Sequence, residues 1–264
     1  MKINEEVLIN YIKDNNLEIL NICINTYKFD IHYNDEAIFR CAYECGSIPI
    51  IKLLIDKFPN INYKIDDGYV LRKACADNNF ELIEYIIDTF PDIINKKNMF
   101  GITSVMNKII VKACQDDNYE IIKWILNKFS DFNECVKSIF FNSAVYGSLN
   151  IFQLLCDKFY TEFKSYVDEI FLISSCNGHL DILRWLIEID GIDINYSTDN
   201  ENAFRFACIN GHFDTAYWLK SQFPSTNHHL TDNYCYEHTP NPKILEWLNN
   251  ECPISPSTKS ARKL

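Results

Sequence analysis

The stretch Asn177–Leu186, which reads NGHLDILRWL, decides the fold because Asn210–Leu219 repeats it as NGHFDTAYWL. In both copies a histidine directly follows the glycine, and a tryptophan lies seven positions after the glycine. Aligned on that tryptophan, weaker copies occur along the whole chain at intervals of 29 to 39 residues. A repeat of this period is typical of solenoid proteins, so the repeat has to be interpreted before any single residue.

The position of the glycine predicts where one helix ends and the next begins. Gly, Asn and Asp tolerate the left-handed backbone conformation that ends a helix. The residue after this position is mostly Asn, Ser or His, and Asn and Ser are good helix N-caps. Four residues before it the chain has mostly Ala or Ser, which lets helices approach closely. The members of the glycine position are Asn15, Gly46, Asn78, Asp117, Gly147, Gly178, Gly211 and Pro240.

The second helix of each copy is apolar on nearly all sides, so it needs a neighbouring helix on both flanks. An apolar and a polar residue recur after that helix, followed by a polar connector into the next copy. These pairs are Ile31-His32, Ile61-Asn62, Ile94-Asn95 and Ile194-Asn195. Each unit is therefore predicted to be a helix, a tight turn, a second helix and an extended loop.

This pattern resembles the ankyrin-repeat family, whose period is about 33 residues and whose unit is a β-turn with two helices. The resemblance implies an all-α fold, an ankyrin-like repeat solenoid of stacked helical hairpins with short extended loops. The abundance of Ile, Asn, Lys, Phe and Tyr is similar to the divergent ankyrin arrays of amoeba-infecting giant viruses and of some amoebae. The Thr-Pro-Leu-His motif, which ties adjacent repeats in that family, is absent here.

The repeats predict an array over residues 1–252, with about seven repeats and a C-terminal capping half repeat. Residues 253–264 contain three basic residues and no acid, and they are predicted to be a disordered basic tail. The longest interval, from Asn78 to Asp117, predicts an insertion near residues 98–106, as a longer loop or an extended first helix. The polar side chains of the first 14 residues predict a capped N-terminal end.

Charge and cysteine content limit the classes of partner and compartment. The formal net charge of -11 opposes binding to nucleic acid or to anionic membranes. Eleven cysteines are an odd number, and no signal peptide or membrane span is visible, so free thiols in the cytoplasm (a host cytoplasm if viral) are expected. Cys75, Cys114 and Cys208 share one position of the repeat and are predicted to be packing residues. The protein is predicted to be a monomer.

The sequence predicts no enzyme and no cofactor, because it lacks the phosphate-binding, nucleophile-elbow and zinc-protease motifs. His179 and His212 recur in register and are interpreted as structural turn residues. One alternative remains open, a metal-dependent or hydrolytic activity built on residues 224–252. Its weak metal candidates are His228, His229, Cys235 and His238, although a decayed terminal repeat explains the same residues.

The family resemblance implies a non-enzymatic scaffold for protein–protein interaction, with contacts through the loop tips and the concave inner-helix face. Carboxylates recur near the ends of the first helices, where they oppose the helix dipole, and they favour a partner with a basic segment. The alternative is a solvated face of an acidic protein. The candidate residues are Asp14, Glu44, Asp77, Asp116 and Tyr146, with Tyr33, Tyr63 and Tyr196 at loop tips.

Overall fold

A computed structural model describes residues 2–62, 65–94, 104–129, 133–189, 191–192, 194, 200–223 and 234–251. Every regular element in these ranges is helical, and their one β-type contact is an isolated parallel bridge between Lys2 and Lys28. The prediction of an all-helical repeat fold is therefore confirmed. The chain forms two compact units, Met1–Lys112 and Ala113–Leu264.

Unit 1 contains three helical hairpins and most of a further first helix. First helices α1, α3 and α5 lie side by side, and second helices α2 and α4 contact each other. A short 3₁₀ turn, Pro91–Ile93, follows α6. The helices of unit 1 are α1 Glu5–Lys13, α2 Leu17–Thr26, α3 Tyr33–Glu44, α4 Ile48–Lys57, α5 Ile65–Ala76, α6 Phe80–Thr89 and α7 Ser104–Gln115, whose last turn enters unit 2.

Unit 2 repeats the same arrangement. First helices α9, α11, α13 and α15 follow one another as packed neighbours, and second helices α8 and α10 contact each other. The helices of unit 2 are α8 Tyr119–Lys128, α9 Asn133–Tyr146, α10 Leu149–Lys158, α11 Tyr160–Asn177, α12 Leu180–Glu188, α13 Asn200–Ile209, α14 Phe213–Gln222, α15 Tyr234–His238 and α16 Pro242–Glu251.

The hairpin turns confirm the prediction made from the glycine position. Its first seven members all have a positive φ, between 47° and 82°, whether the residue is Gly, Asn or Asp. The residue after the turn donates a backbone hydrogen bond five residues back, as from Asn79 N to Ala74 O at 3.0 Å and from His179 N to Ser174 O at 2.9 Å. These bonds satisfy carbonyl groups that the end of the first helix leaves without a partner.

The N-cap prediction holds for asparagine and is wrong for serine, and the histidines at the same position do not cap either. The side chains of Asn16, Asn79 and Asn118 accept a hydrogen bond from the backbone N–H three residues later. No such bond is made by Ser47, Ser148, His179 or His212. All four hydrogen-bond instead to the preceding repeat, and the partner of His212 is the backbone of Cys176.

One predicted extended loop is missing. Between α10 and α11 only Phe159 connects the two helices, and α11 is correspondingly long, with 18 residues. Its first turns bring Phe163 into a fully buried aromatic cluster, 5.8 Å from both the Phe140 and the Phe152 ring centroids. The aromatic cluster replaces the loop because burying Phe163 removes a large apolar surface from water.

The predicted insertion before Asp117 falls mostly on residues 95–103, which lie outside the described part of the chain. Helix α7 begins at Ser104 and has 12 residues, the same length as α3 and α5. The predicted tail, residues 253–264, also lies outside the described ranges. The single array over residues 1–252 stays a prediction.

Candidate functional site

Side chains of unit 2 tie each repeat to the one before it. His179 Nε2 donates to the Val145 carbonyl oxygen at 2.7 Å, and Thr239 Oγ1 donates to the Cys208 carbonyl oxygen at 2.6 Å. Ser148 Oγ makes the same kind of bond to the Cys114 carbonyl oxygen. The acceptors belong to the last turn of a first helix, where carbonyl groups have no intrahelical partner. These bonds tie adjacent repeats together, and the Thr-Pro-Leu-His motif that would otherwise do so is absent from the sequence.

In unit 1, buried carboxylates fix the loops. Glu5 Oε1 accepts a hydrogen bond from the backbone N–H of Asp30 at 3.0 Å, and this bond lowers the pKa of Glu5. Glu36 Oε1 accepts one from the backbone N–H of Asn62 at 3.3 Å and lies 2.5 Å from His32 Nδ1. Glu5 and Glu36 are 31 residues apart and so occupy the same position of the repeat. This shared position is the sequence signal that could have identified them as residues that hold the loops.

The first predicted site residues lie on one edge of unit 1. Asp14 follows α1, Glu44 is the last residue of α3, and Asp77 follows α5; all three are exposed. The turns that follow α1, α3 and α5 lie against one another, because Ser47 Oγ donates to Asn15 Oδ1 at 2.6 Å and Gly46 lies beside the Asn79 side chain. The C-terminal ends of the three helices therefore share an edge. We call Asp14, Glu44 and Asp77 the acidic edge.

Two of the three carboxylates on the acidic edge already have partners on α5. Glu44 accepts a hydrogen bond from the Tyr69 hydroxyl at 2.8 Å, and this raises the pKa of Tyr69. Asp77 lies 2.7 Å from Lys73 Nζ, and both side chains of that ion pair are partly exposed. Exposed ion pairs of this kind are worth only about 0–1 kcal/mol, so a cation from a partner could replace Lys73.

Two predicted site residues, Asp116 and Tyr146, lie in unit 2, which also has exposed apolar side chains. Asp116 is exposed just after α7, and Tyr146 is 38% exposed as the last residue of α9. Val145 and, on α13, Phe206 are exposed to a similar extent. Phe206 was missed, although it directly precedes the small residue Ala207 and so lies just outside the packed face of its helix.

The loop-tip tyrosines are only partly described. Tyr33 begins α3 and is half-buried, directly after His32. The three residues after it, Asn34, Asp35 and Glu36, all have a positive φ. Tyr63 and Tyr196 lie outside the described ranges.

The weak metal candidates are not assembled in the residues that the structure describes. Cys235 is buried and accepts a hydrogen bond from the Cys208 thiol, which lowers the pKa of Cys235, whereas His238 is exposed. His228 and His229 lie outside the described ranges. Among the residues placed with their side chains, no group of three or more His, Cys, Asp or Glu residues could hold a metal ion.

The repeated cysteine position is a packing position, as predicted. Cys75, Cys114 and Cys208 are all buried, and the nine cysteines whose side chains the structure places are free thiols. Burial raises the pKa of Cys75 and of Cys114 to about 12. Since the thiolate is the reactive form, these thiols are poor nucleophiles at neutral pH.

None of the helices in the described ranges is long and apolar enough to span a membrane. No curated protein matches the sequence. Residues 170–219, which run from the second half of α11 through α14, match the family model described as ankyrin repeats (many copies). That segment contains both copies of the sequence motif, the turns at Gly178 and Gly211, and His179, which donates to Val145 in the preceding repeat. Residues 170–219 are therefore similar to ankyrin repeats, and they lie within an all-helical repeat fold.

Proposed function

We propose that the protein is a non-enzymatic scaffold that binds another protein through the exposed ends of its first helices and its loop tips. Repeat proteins of this kind offer extended binding surfaces. The observation that carries the proposal is the acidic edge of unit 1. Carboxylates at three consecutive helix C-terminal ends are locally unfavourable, by about 0.3–1 kcal/mol each, because they oppose the helix dipole. The recurrence of these carboxylates despite that cost supports a binding role.

The chemistry of the acidic edge favours a basic segment of the partner protein. Asp14, Glu44 and Asp77 are all exposed. Lys73 already forms an ion pair with Asp77, which is the contact that a cation of the partner would make. In unit 2, exposed Val145, Tyr146 and Phe206 favour neutral or apolar contacts instead. Tyr33, Tyr63 and Tyr196 are proposed as additional loop-tip contacts, and Asp116 as a further acidic contact.

We also propose that the protein is a monomer and that it acts in the cytoplasm without a cofactor. It is expected to bind neither nucleic acid nor membranes. The net charge of -11 supports the last two points. The alternative activity on residues 224–252 is distinguished by elemental analysis of the purified chain. Stoichiometric zinc would favour that alternative.

The acidic edge is tested by charge reversal in the double variant Asp14→Lys/Glu44→Lys. Partners of the tagged wild-type chain are captured from its native cell and identified by mass spectrometry. The variant is expected to lose at least one wild-type partner. Its melting temperature should stay close to that of the wild type, because the favourable placement of lysine at a helix C-terminal end offsets the lost Tyr69–Glu44 hydrogen bond. Asp77→Lys and Asp116→Lys are single-site extensions of the test.

The matched control is Glu120→Lys/Asp157→Lys, which makes the same charge change at exposed positions of two second helices in unit 2. It should keep the wild-type set of partners. If the two double variants capture the same set as the wild type, the acidic edge is not a binding site.

A further inference from the structure

A cleft of about 550 Å³ lies between the second helices α2 and α4 of unit 1. Its apolar lining includes Leu17, Pro49 and Leu53. Leu17 is 38% exposed and Pro49 is also exposed, so the apolar surface of the cleft is open to solvent. A volume of this size accommodates one or two large apolar side chains.

The rim of the cleft is acidic. Glu18 and Asp56 line it and are exposed, and neither carboxylate has an ion-pair partner in the described part of the chain. The one cation of the lining is Lys52, whose Nζ lies 5.1 Å from the centroid of the Tyr85 ring on α6. Because this cation–π contact holds the Lys52 ammonium toward α6, the two rim carboxylates are left for another cation.

The wider surface around the cleft has the same sign of charge. The second helices of unit 1, α2, α4 and α6, carry five carboxylates and two lysines. The second helices of unit 2 carry seven carboxylates and six basic residues, so they are nearly balanced. The excess of acid is therefore a property of the helices that form the cleft and of their neighbour, and it attracts a basic ligand.

We propose that this cleft is a second docking site, for a partner segment that places a bulky apolar side chain next to a lysine or arginine. The apolar side chain fills the space between Leu17 and Leu53, and the cation pairs with Glu18 or Asp56. Anionic lipid and nucleic acid are disfavoured by the same carboxylates. The site lies on the second helices, separate from the acidic edge at the ends of the first helices.

The test uses a random dodecapeptide library displayed on phage and selected on the full chain. The selected peptides should share one large apolar residue within two positions of a lysine or arginine. A synthetic peptide of that consensus should bind Glu18→Lys/Asp56→Lys at least about tenfold more weakly than the wild type, because two rim attractions become repulsions. Its binding should also weaken as salt is raised.

Two controls keep the result specific to the cleft. Glu120→Lys/Asp157→Lys has the same change in net charge, and it should bind the peptide within about twofold of the wild type. Leu53→Gln probes the apolar part of the cleft, with circular dichroism to confirm folding. Since Glu18 and Asp56 are exposed, their reversal decides the test even if Leu53→Gln fails to fold.

The proposal is overturned if the selected peptides are acidic or lack the apolar residue. It is also overturned if their affinity is the same for the wild type and for Glu18→Lys/Asp56→Lys. Binding that is lost in Asp14→Lys/Glu44→Lys but kept in the cleft variant would place the peptide on the acidic edge. That result would support the proposed function and overturn the second site.

Discussion

The imidazole of His179 occupies the space beside Gly147 that any other residue would fill with its Cβ. A Cβ at Gly147 would lie 2.4 Å from His179 Nδ1, and Gly147 also has a φ of +75°. The same relationship recurs one repeat later, where a Cβ at Gly178 would lie 2.4 Å from His212 Nδ1. The glycine therefore serves two repeats, because it ends its own first helix and makes room for the histidine of the next repeat.

Replacing Gly147 by alanine should cost more stability than replacing Gly211 in the same unit. Both positions have a positive φ, which costs an alanine about 1–2 kcal/mol, but at Gly211 the nearest side-chain atom would be 3.7 Å away. At Gly147 the clash with His179 adds about 1–3 kcal/mol. Urea denaturation of Gly147→Ala and Gly211→Ala measures the difference.

The double variant Gly147→Ala/His179→Ala should recover part of the loss, because the ring that clashes is removed. It should not recover all of it, since the bond to the Val145 carbonyl, worth about 1 kcal/mol, is lost as well. Equal costs for the two glycine variants would contradict the close approach of His179.

The asparagine after a turn should stabilise its own helix. Asn79 Oδ1 accepts the backbone N–H of Leu82 at 3.1 Å, so Asn79→Ala should lower the free energy of unfolding by about 1 kcal/mol. Asn79→Asp should keep most of the stability, because aspartate is an equally good N-cap and its charge suits the start of a helix. A similar loss in both variants would mean that the cap is not the cause.

Stability should fall with rising pH through the titration of His32. The hydrogen bond to Glu36, with added attraction from the Glu36 and Asp30 charges, raises the pKa of His32 above its usual 6.5. A group whose pKa is raised on folding contributes its full stabilisation of the folded state at pH values below its unfolded-state pKa. That contribution is lost as the pH rises through its folded-state pKa. NMR titration of the ring should give a pKa above 6.5.

The matched variant for this prediction is His32→Gln, which keeps a hydrogen-bond donor but cannot titrate. Its melting temperature should depend less on pH than that of the wild type between about pH 6 and 8. The same slope in both proteins would exclude His32 as the source.

Cysteine alkylation should follow exposure. Cys45 is exposed, whereas Cys75 and Cys114 are buried with pKa values raised to about 12. Brief treatment of the native protein with iodoacetamide at neutral pH should modify Cys45 and leave the two buried thiols intact, as read by mass spectrometry of peptides. Denaturation in urea before treatment should make all three react. Early modification of Cys75 or Cys114 in the native protein would contradict their packing role.

The positions of the turns could be read from the sequence because few residues tolerate a left-handed backbone. Asn15, Asn78 and Asp117 stand where other copies have glycine, and all three have the predicted positive φ. The burial of Cys75, Cys114 and Cys208 was likewise predictable from their shared position in the repeat. These features depend on local conformation and on one face of one helix.

Contacts across repeats could not be predicted in the same way. A local rule makes the serine after the turn an N-cap, yet Ser148 binds the Cys114 carbonyl group of the preceding repeat. His179, at the same repeat position, likewise binds the Val145 carbonyl group. The loops at Asp30 and Asn62 are held by Glu5 and Glu36, which are more than twenty residues away in the chain. The repeat position of Asp77 does not by itself reveal its ion pair with Lys73, because that pair depends on the residue four positions earlier.

By itself the sequence determined the repeat, the helix ends and the class of fold, because those follow from backbone preference and from apolar periodicity within about 33 residues. Only the tertiary structure decided which polar side chains bind across repeats. The stacking of repeats brings the orphan carbonyls of one first helix within reach of the next repeat's side chains. It also sets Leu17 of α2 beside Leu53 of α4, which opens an acidic-rimmed cleft that neither helix specifies alone.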